Sequence, residues 1–247
     1  RAGSIKTGSS LKHTASGEAT KLRSARLDKT ELNEVYNGQR AAMNVSLDHK
    51  LVARGDWLID EKLFHPINRL DATVDFIDAD FKLTSSAQYH VHIGASHHVV
   101  NIRHLGESLY QVKCLESMIA HHGDRFIVRD PASQHTLGGG RVVDIFIPRR
   151  KRSSESRLAQ LNAMQHDSID ALKQLLKMQV DGIKLQEFSI CRNISNSAIE
   201  KLLETLKQEG VGFHSLNLEK SSLPVLLHED YHSEYRNNIL SYLKDFH

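Results

Sequence analysis

The sequence has few cysteines and no long apolar run. Its 247 residues hold two cysteines, Cys114 and Cys191, far apart in the chain. That excludes a disulfide framework and fits a reducing cytoplasmic compartment. No uninterrupted apolar stretch approaches the ~18 residues of a transmembrane helix, so no membrane partner is expected. Residues 1–10 lack the apolar core of a secretory signal. Neither sign of charge dominates, with 32 Lys and Arg against 30 Asp and Glu, a net of +2 with His neutral. With hydrophobic residues at 40 %, this balance excludes a wholly disordered chain and a coiled coil. No internal repeat or low-complexity tract is evident. The first residue is Arg and not Met, so the expectation is a processed chain or a fragment.

Several chemical signatures are also missing. There is no GxxxxGK[ST] phosphate loop and no GxGxxG after a strand, so this chain is expected neither to bind nor to hydrolyse GTP. Without a GxSxG elbow, its Ser, His and Asp residues do not spell a triad. No catalytic residue is assigned. Cys114 and Cys191 sit in apolar surroundings and read as buried packing.

What is present divides near residue 150. Residues 21–27 (KLRSARL), 39–45, 57–59, 73–77, 89–93, 99–104, 109–115, 125–129 and 141–147 read as short strands bounded by turns. Many short strands with no helical pattern between them point to barrels or sandwiches. Two β domains are expected, at 1–61 and 67–147. Pro148-Arg149-Arg150-Lys151-Arg152-Ser153-Ser154 then reads as a basic linker, 148–154. Beyond it the helical period takes over. Ile169, Leu172 and Leu176 follow an Asp167 or Ser168 N-cap. Residues 185–192 form a short helix. Ile199, Leu202, Leu203 and Leu206 precede a Gly210 stop. Residues 211–218 read as a short strand pair. Helices followed by a small β element give a winged-helix domain at 155–221. A last helix is expected from Ser222, with Pro224 in its first turn, over 222–247 and leading to a further winged helix. The fold class is thus mainly β in its first half, followed by an α-helical winged-helix domain.

Four features bear on function. His90 and His92 share a strand face near His97 and His98, but no carboxylate or Cys joins them and no metal site is assigned. Gly138, Gly139 and Gly140 precede a strand and not a helix, so they lack a helix N-terminus for an anion and read as a tight loop. The cations Arg149, Arg150, Lys151 and Arg152, with Arg157 as an outer contributor, form either a solvated hinge or a set of sequence-independent phosphate contacts. Residues 196–208 carry Lys201 and Lys207 against Glu200 and Glu204, and from residue 153 onward ten Lys and Arg face thirteen Asp and Glu, a net of −3. That is a poor surface for reading DNA and a reasonable one for a spacer.

Three phrases carry a family resemblance. Asn37-Gly38-Gln39-Arg40-Ala41-Ala42-Met43-Asn44 resembles the AGQRxALN strand of the elongation-factor-Tu group of translation GTPases, and Arg54-Gly55-Asp56-Trp57-Leu58 resembles its RGDxL strand start. Arg125-Phe126-Ile127-Val128-Arg129-Asp130 followed by Thr136-Leu137-Gly138-Gly139-Gly140-Arg141-Val142-Val143 resembles the RFxLRD…TLGGGRV closing of the third domain. A Pro-Arg-Arg-Lys hinge and winged helix after that barrel resembles the bacterial selenocysteine-specific elongation factors. The phrase GDxL of the second barrel stands here as Gly8-Ser9-Ser10-Leu11, without its Asp, and the Asp-Arg pair of that barrel's first strand has no counterpart.

The resemblance implies a middle fragment without the GTPase domain. It would have two elongation-factor-type barrels, the first incomplete and exposing a strand edge. The parent would use GTP and Mg to bring selenocysteinyl-tRNA to the ribosome, with an mRNA hairpin held by parts beyond this chain. No cofactor is expected here. Gly138, Gly139 and Gly140 would lie where backbone meets RNA, and Arg40 at the aminoacyl pocket, where its fixed charge favours a selenolate over a serine hydroxyl. On alternation alone, Arg40 points outward while Ala41 and Met43 fill the barrel. Three alternatives remain: a fragment of another translation GTPase for general aminoacyl-tRNA, a β-barrel/winged-helix regulator that binds DNA, and a structural fragment with no RNA affinity of its own.

Overall fold

A computed structural model of the protein describes residues 3–84, 86–219 and 221–246. The N-terminal part is a set of short antiparallel strands: β1 (Ser4–Lys6), β2 (Ser10–His13), β3 (Ala19–Leu27), β4 (Thr30–Leu32), β5 (Glu34–Tyr36), β6 (Ala42–Val45) and β7 (Leu58–Ile59). They make an open sheet in the order β4-β3-β2-β7, with β6 also on β3 and a separate β1-β5 pair. Its buried apolar core is small, made of Leu11, Leu22 and Ala25.

The second unit is a closed antiparallel barrel. Its strands are β8 (Ile67–Phe76), β9 (Tyr89–Ile93), β10 (Ser96–Gly106), β11 (Leu109–Met118), β12 (Arg125–Arg129) and β13 (Thr136–Asp144), ordered β10-β11-β8-β13-β12-β9. Closure leaves no unpaired edge. Alternation is clear on β9, where Tyr89, Val91 and Ile93 are buried and His90 and His92 are half-buried on the other face. The inward residues of β8, β10, β12 and β13 complete the core, with Leu70, Val74, Val100, Ile102, Val128 and Val142 all buried.

Two glycines join the sheet to the barrel. A side chain on Gly55, whose φ is +108°, would stand 2.9 Å from the Ala95 carbonyl oxygen, and one on Gly94 would press on the Trp57 ring. Asp56, between Gly55 and Trp57, accepts from the Ala53 amide at 2.6 Å and sits 2.9 Å from Nε2 of the buried His13.

Helices follow the barrel: α1 (Glu155–Met164), α2 (Ser168–Met178), a short strand β14 (Ile183–Lys184), α3 (Leu185–Arg192) and α4 (Asn196–Gln208). Side-chain oxygens of Ser154, Asp167 and Ser195 cap α1, α2 and α4, as N-cap residues do. Then come β15 (Phe213–Leu216), β16 (Val225–His228) and α5 (Glu229–Phe246). From α2 onward the order helix, strand, helix, helix, strand, strand is that of a winged helix.

Two expectations change. The last helix does not start at Ser222: Val225–His228 is the central strand of a sheet ordered β14-β16-β15, and the helix begins at Glu229. Leu226 and Leu227 are buried there, so their apolar character serves a strand and not a helix face. Helix α1, unforeseen in the sequence, packs on the barrel, and the barrel and the helical part share one continuous core.

Candidate functional site

The expected site residues fall in four places. Arg40 lies in the connection between β5 and β6 and is exposed; the strand begins only at Ala42. Met43 is 39 % exposed, so the expected filling of a core by Ala41 and Met43 does not occur. In the β6–β3 ladder Val45 stands opposite Leu22 and packs on the small core, while Met43, opposite Ala25, stays exposed. The connection is an ordered turn: Gly38 has a φ of +81°, and the Gln39 side-chain oxygen accepts from the Tyr36 amide at 2.8 Å. Tyr36, Asn37, Gly38 and Gln39 line a cavity of about 540 Å³ together with Leu58 and His121.

Gly138, Gly139 and Gly140 are not a loop. They lie within β13, paired with Phe76, Asp75 and Val74 of β8 on one side and with Val128, Ile127 and Phe126 of β12 on the other. A Cβ on Gly138 would come within 3.0 Å of the Asp75 carbonyl, and one on Gly140 within 3.0 Å of both the Thr73 carbonyl and the Phe126 ring. These glycines let strands and a core ring approach closely. The contacts that require them are with the neighbouring strands β8 and β12.

The basic segment divides. Arg149, Arg150 and Lys151 are exposed, whereas Arg152 is half-buried and its Nε donates to the Pro148 carbonyl at 3.0 Å. Lys151 takes a left-handed φ of +54°, and its carbonyl accepts from the Ser154 amide and hydroxyl at 3.2 and 3.0 Å. The segment is therefore a folded turn with three exposed cations.

Arg157 is the clearest correction. It is 6 % exposed on α1, and its guanidinium donates to Asp71 Oδ2 at 2.6 and 3.2 Å and to Asp144 Oδ2 at 2.8 Å. Gln111 donates to the other Asp71 oxygen at 3.1 Å. Burial works against the charged guanidinium, but the Asp144 and Asp71 carboxylates outweigh it and raise its pKa. Arg157 is the tie between barrel and helices, not an outer phosphate contact. Asp71 and Asp144 escaped the sequence reading because their shared partner lies 86 residues from the first. The Cys191 thiol approaches Asp144 from α3 at 3.6 Å, and Arg192 Nη2 donates to the Met164 and His166 carbonyls at 2.6 and 2.9 Å.

The cysteines are buried as expected. Burial pushes the Cys114 thiol up to about 12 and the Cys191 thiol well above its ordinary value. His90 and His92 do share a face, each stacked with His97 at ring separations of 6.2 and 5.8 Å. Among the described residues no group of three or more His, Cys, Asp or Glu is arranged to hold a metal ion. None of the described helices is long and apolar enough to cross a membrane.

Residues 71–149 match the family model for the beta-barrel domain of the selenocysteine-specific elongation factor. Over these residues the chain is similar to selenocysteine-specific elongation factors. The factor of Escherichia coli K12 is 25 % identical over 217 residues, covering 87 % of this chain and 35 % of its own length. That of Haemophilus influenzae is 25 % identical over 176 residues, covering 64 % of this chain and 28 % of its own. The crystal structure of the bacterial selenocysteine-specific elongation factor EF-Sec superposes with a TM-score of 0.73 at 21 % identity, over 97 % of this chain and 37 % of that one, a likeness of fold. The chain thus spans about a third of the length of these relatives.

Proposed function

We propose that this chain is the RNA-holding middle part of a translation elongation factor that brings selenocysteinyl-tRNA to the ribosome in a GTP-dependent way. The observation that carries the reading is a closed barrel, matched over residues 71–149 to the family's own domain, that runs directly into a folded, cation-bearing turn at residues 149–152. In this reading Arg149, Arg150 and Lys151 meet tRNA phosphates, contacts that give affinity and salt dependence without reading sequence. GTP with Mg belongs to another part of such a factor, as does the grip on the mRNA hairpin. The factor works in the cytoplasm.

Arg40 takes the aminoacyl role. Its turn borders the 540 Å³ cavity through Asn37, Gly38 and Gln39. A guanidinium is always charged, a selenolate is an anion at neutral pH and a serine hydroxyl is not, so Arg40 distinguishes the two aminoacyl groups. The glycines Gly138, Gly139 and Gly140 contribute through barrel closure.

The test is an anisotropy titration of the chain with selenocysteinyl-tRNA, seryl-tRNA and duplex DNA over a salt series. Binding to tRNA that weakens with salt and exceeds binding to DNA supports the reading. Preference for duplex DNA favours a DNA-binding regulator. Equal affinity for both tRNAs, unchanged by Arg40→Ala, removes the aminoacyl role of Arg40.

A further inference from the structure

Where the basic turn crosses the start of β8, the surface holds a groove of about 450 Å³. Its walls are Asn68 and Arg69 of β8, Ser117 of β11, and Arg149 and Arg152 of the turn, with Ile147 between them. Among the described residues, no Asp or Glu lines it. Arg69 stands opposite Lys113 in the β8–β11 ladder, so a fourth cation lies on the same sheet face. Among the described residues, no ion pair engages Arg69, Lys113, Arg149 or Arg152.

Cations gathered in one groove without counter-charge repel one another, and an anion bound between them removes that repulsion. The groove is also set before any ligand arrives. Arg152 is held through its Nε by the Pro148 carbonyl, which leaves its terminal nitrogens available. The turn is closed by Ser154 on Lys151, and Arg157 anchors the following helix to Asp71 and Asp144 beneath it. Guanidinium groups suit phosphate because two parallel N–H groups meet two oxygens of one group. Asn68 and Ser117 add neutral donors.

We propose that this groove seats a backbone phosphate of RNA, with Arg69 as the barrel's own contribution alongside Arg149 and Arg152. The inference rests on the RNA-binding reading above and extends it to a defined site on the barrel wall. A strand and not a lone anion is indicated because the cations continue past the groove onto exposed Arg150 and Lys151.

The experiment titrates the full chain with deacylated tRNA over a potassium chloride series, as wild type, Arg69→Gln, Arg149→Gln and Lys201→Gln, the last on the neutral helix α4. Arg69→Gln and Arg149→Gln should each weaken binding about tenfold and lower the slope of log K against log salt by ~0.7–0.9. Lys201→Gln should bind as wild type. Wild-type binding with Arg69→Gln and Arg149→Gln both unchanged overturns the groove alone. No salt-dependent binding by the wild type overturns the RNA reading and the groove with it. Inorganic phosphate that displaces tRNA at micromolar concentration would mark a free-anion site and overturn the RNA assignment. Thermal unfolding of each variant confirms that a loss is not a loss of fold, and Arg69→Lys should restore the salt slope.

Discussion

The N-terminal sheet and the six-stranded barrel are built from the same short antiparallel strands, yet they are stabilised differently. The sheet is open among the described residues, ends at β4 and β7, and buries Leu11, Leu22 and Ala25. Tyr36, Met43, Leu51 and Val52 remain exposed on it or beside it. The barrel is closed, and its core runs on into the winged helix through α1 and the Arg157–Asp71–Asp144 cluster. Closure and continuity, more than strand composition, separate the two regions. Apolar burial supplies roughly 25 cal/mol per Å², so a core of three residues leaves the sheet dependent on its neighbours. In the proposed reading, selectivity through Arg40 would sit on the softer region and the grip of the groove on the firmer one.

The comparison can be broken most severely at Arg157. Arg157→Ala strands two buried carboxylates, and a loss of about 3–5 kcal/mol is expected in urea unfolding of the barrel and winged helix together. Two separated transitions in that variant would show that the cluster couples the two domains. Loss of less than about 1 kcal/mol would show that it does not.

Leu22→Ala should act on the sheet alone. Removing a fully buried Leu from so small a core costs about 2–5 kcal/mol. Hydrogen exchange should quicken in residues 4–45 while β8 and β13 keep their protection. Faster exchange in the barrel as well would mean the two regions fold as one.

The smallest effect concerns the thiols. Burial raises the Cys114 pKa from 9.0 to about 12. The folded chain therefore holds this proton more firmly than the unfolded one. Its contribution is complete below about pH 9 and falls as pH climbs toward about 12. Iodoacetamide at pH 8 should leave Cys114 and Cys191 unmodified in folded protein and label both after unfolding. Labelling of folded protein would contradict their burial.

Much of this arrangement was legible in the residues. Alternation at residues 89–93 and 125–129 gave strands at those limits, and Asp167 announced its helix by capping it. Elements that depend on distant partners were not legible. Val225–His228 looked helical because Leu227, Tyr231 and Tyr235 are spaced by four, but strands on both sides claim it. The three glycines looked like a loop because nothing local shows that the Phe126 ring lies against Gly140. Arg157 looked like one more surface cation, since its carboxylate partners lie 86 and 13 residues away. Arg69 drew no notice because it belongs to an ordinary alternating strand. Its significance comes from the turn laid across it.

The most direct test of the account is a hydrogen-exchange footprint of the chain with and without deacylated tRNA. Protection is predicted at residues 67–69 and 145–154, where barrel and turn form the groove, with α4 unchanged. Protection confined to α4 and the β15–β16 wing would place the RNA on the winged helix and contradict it.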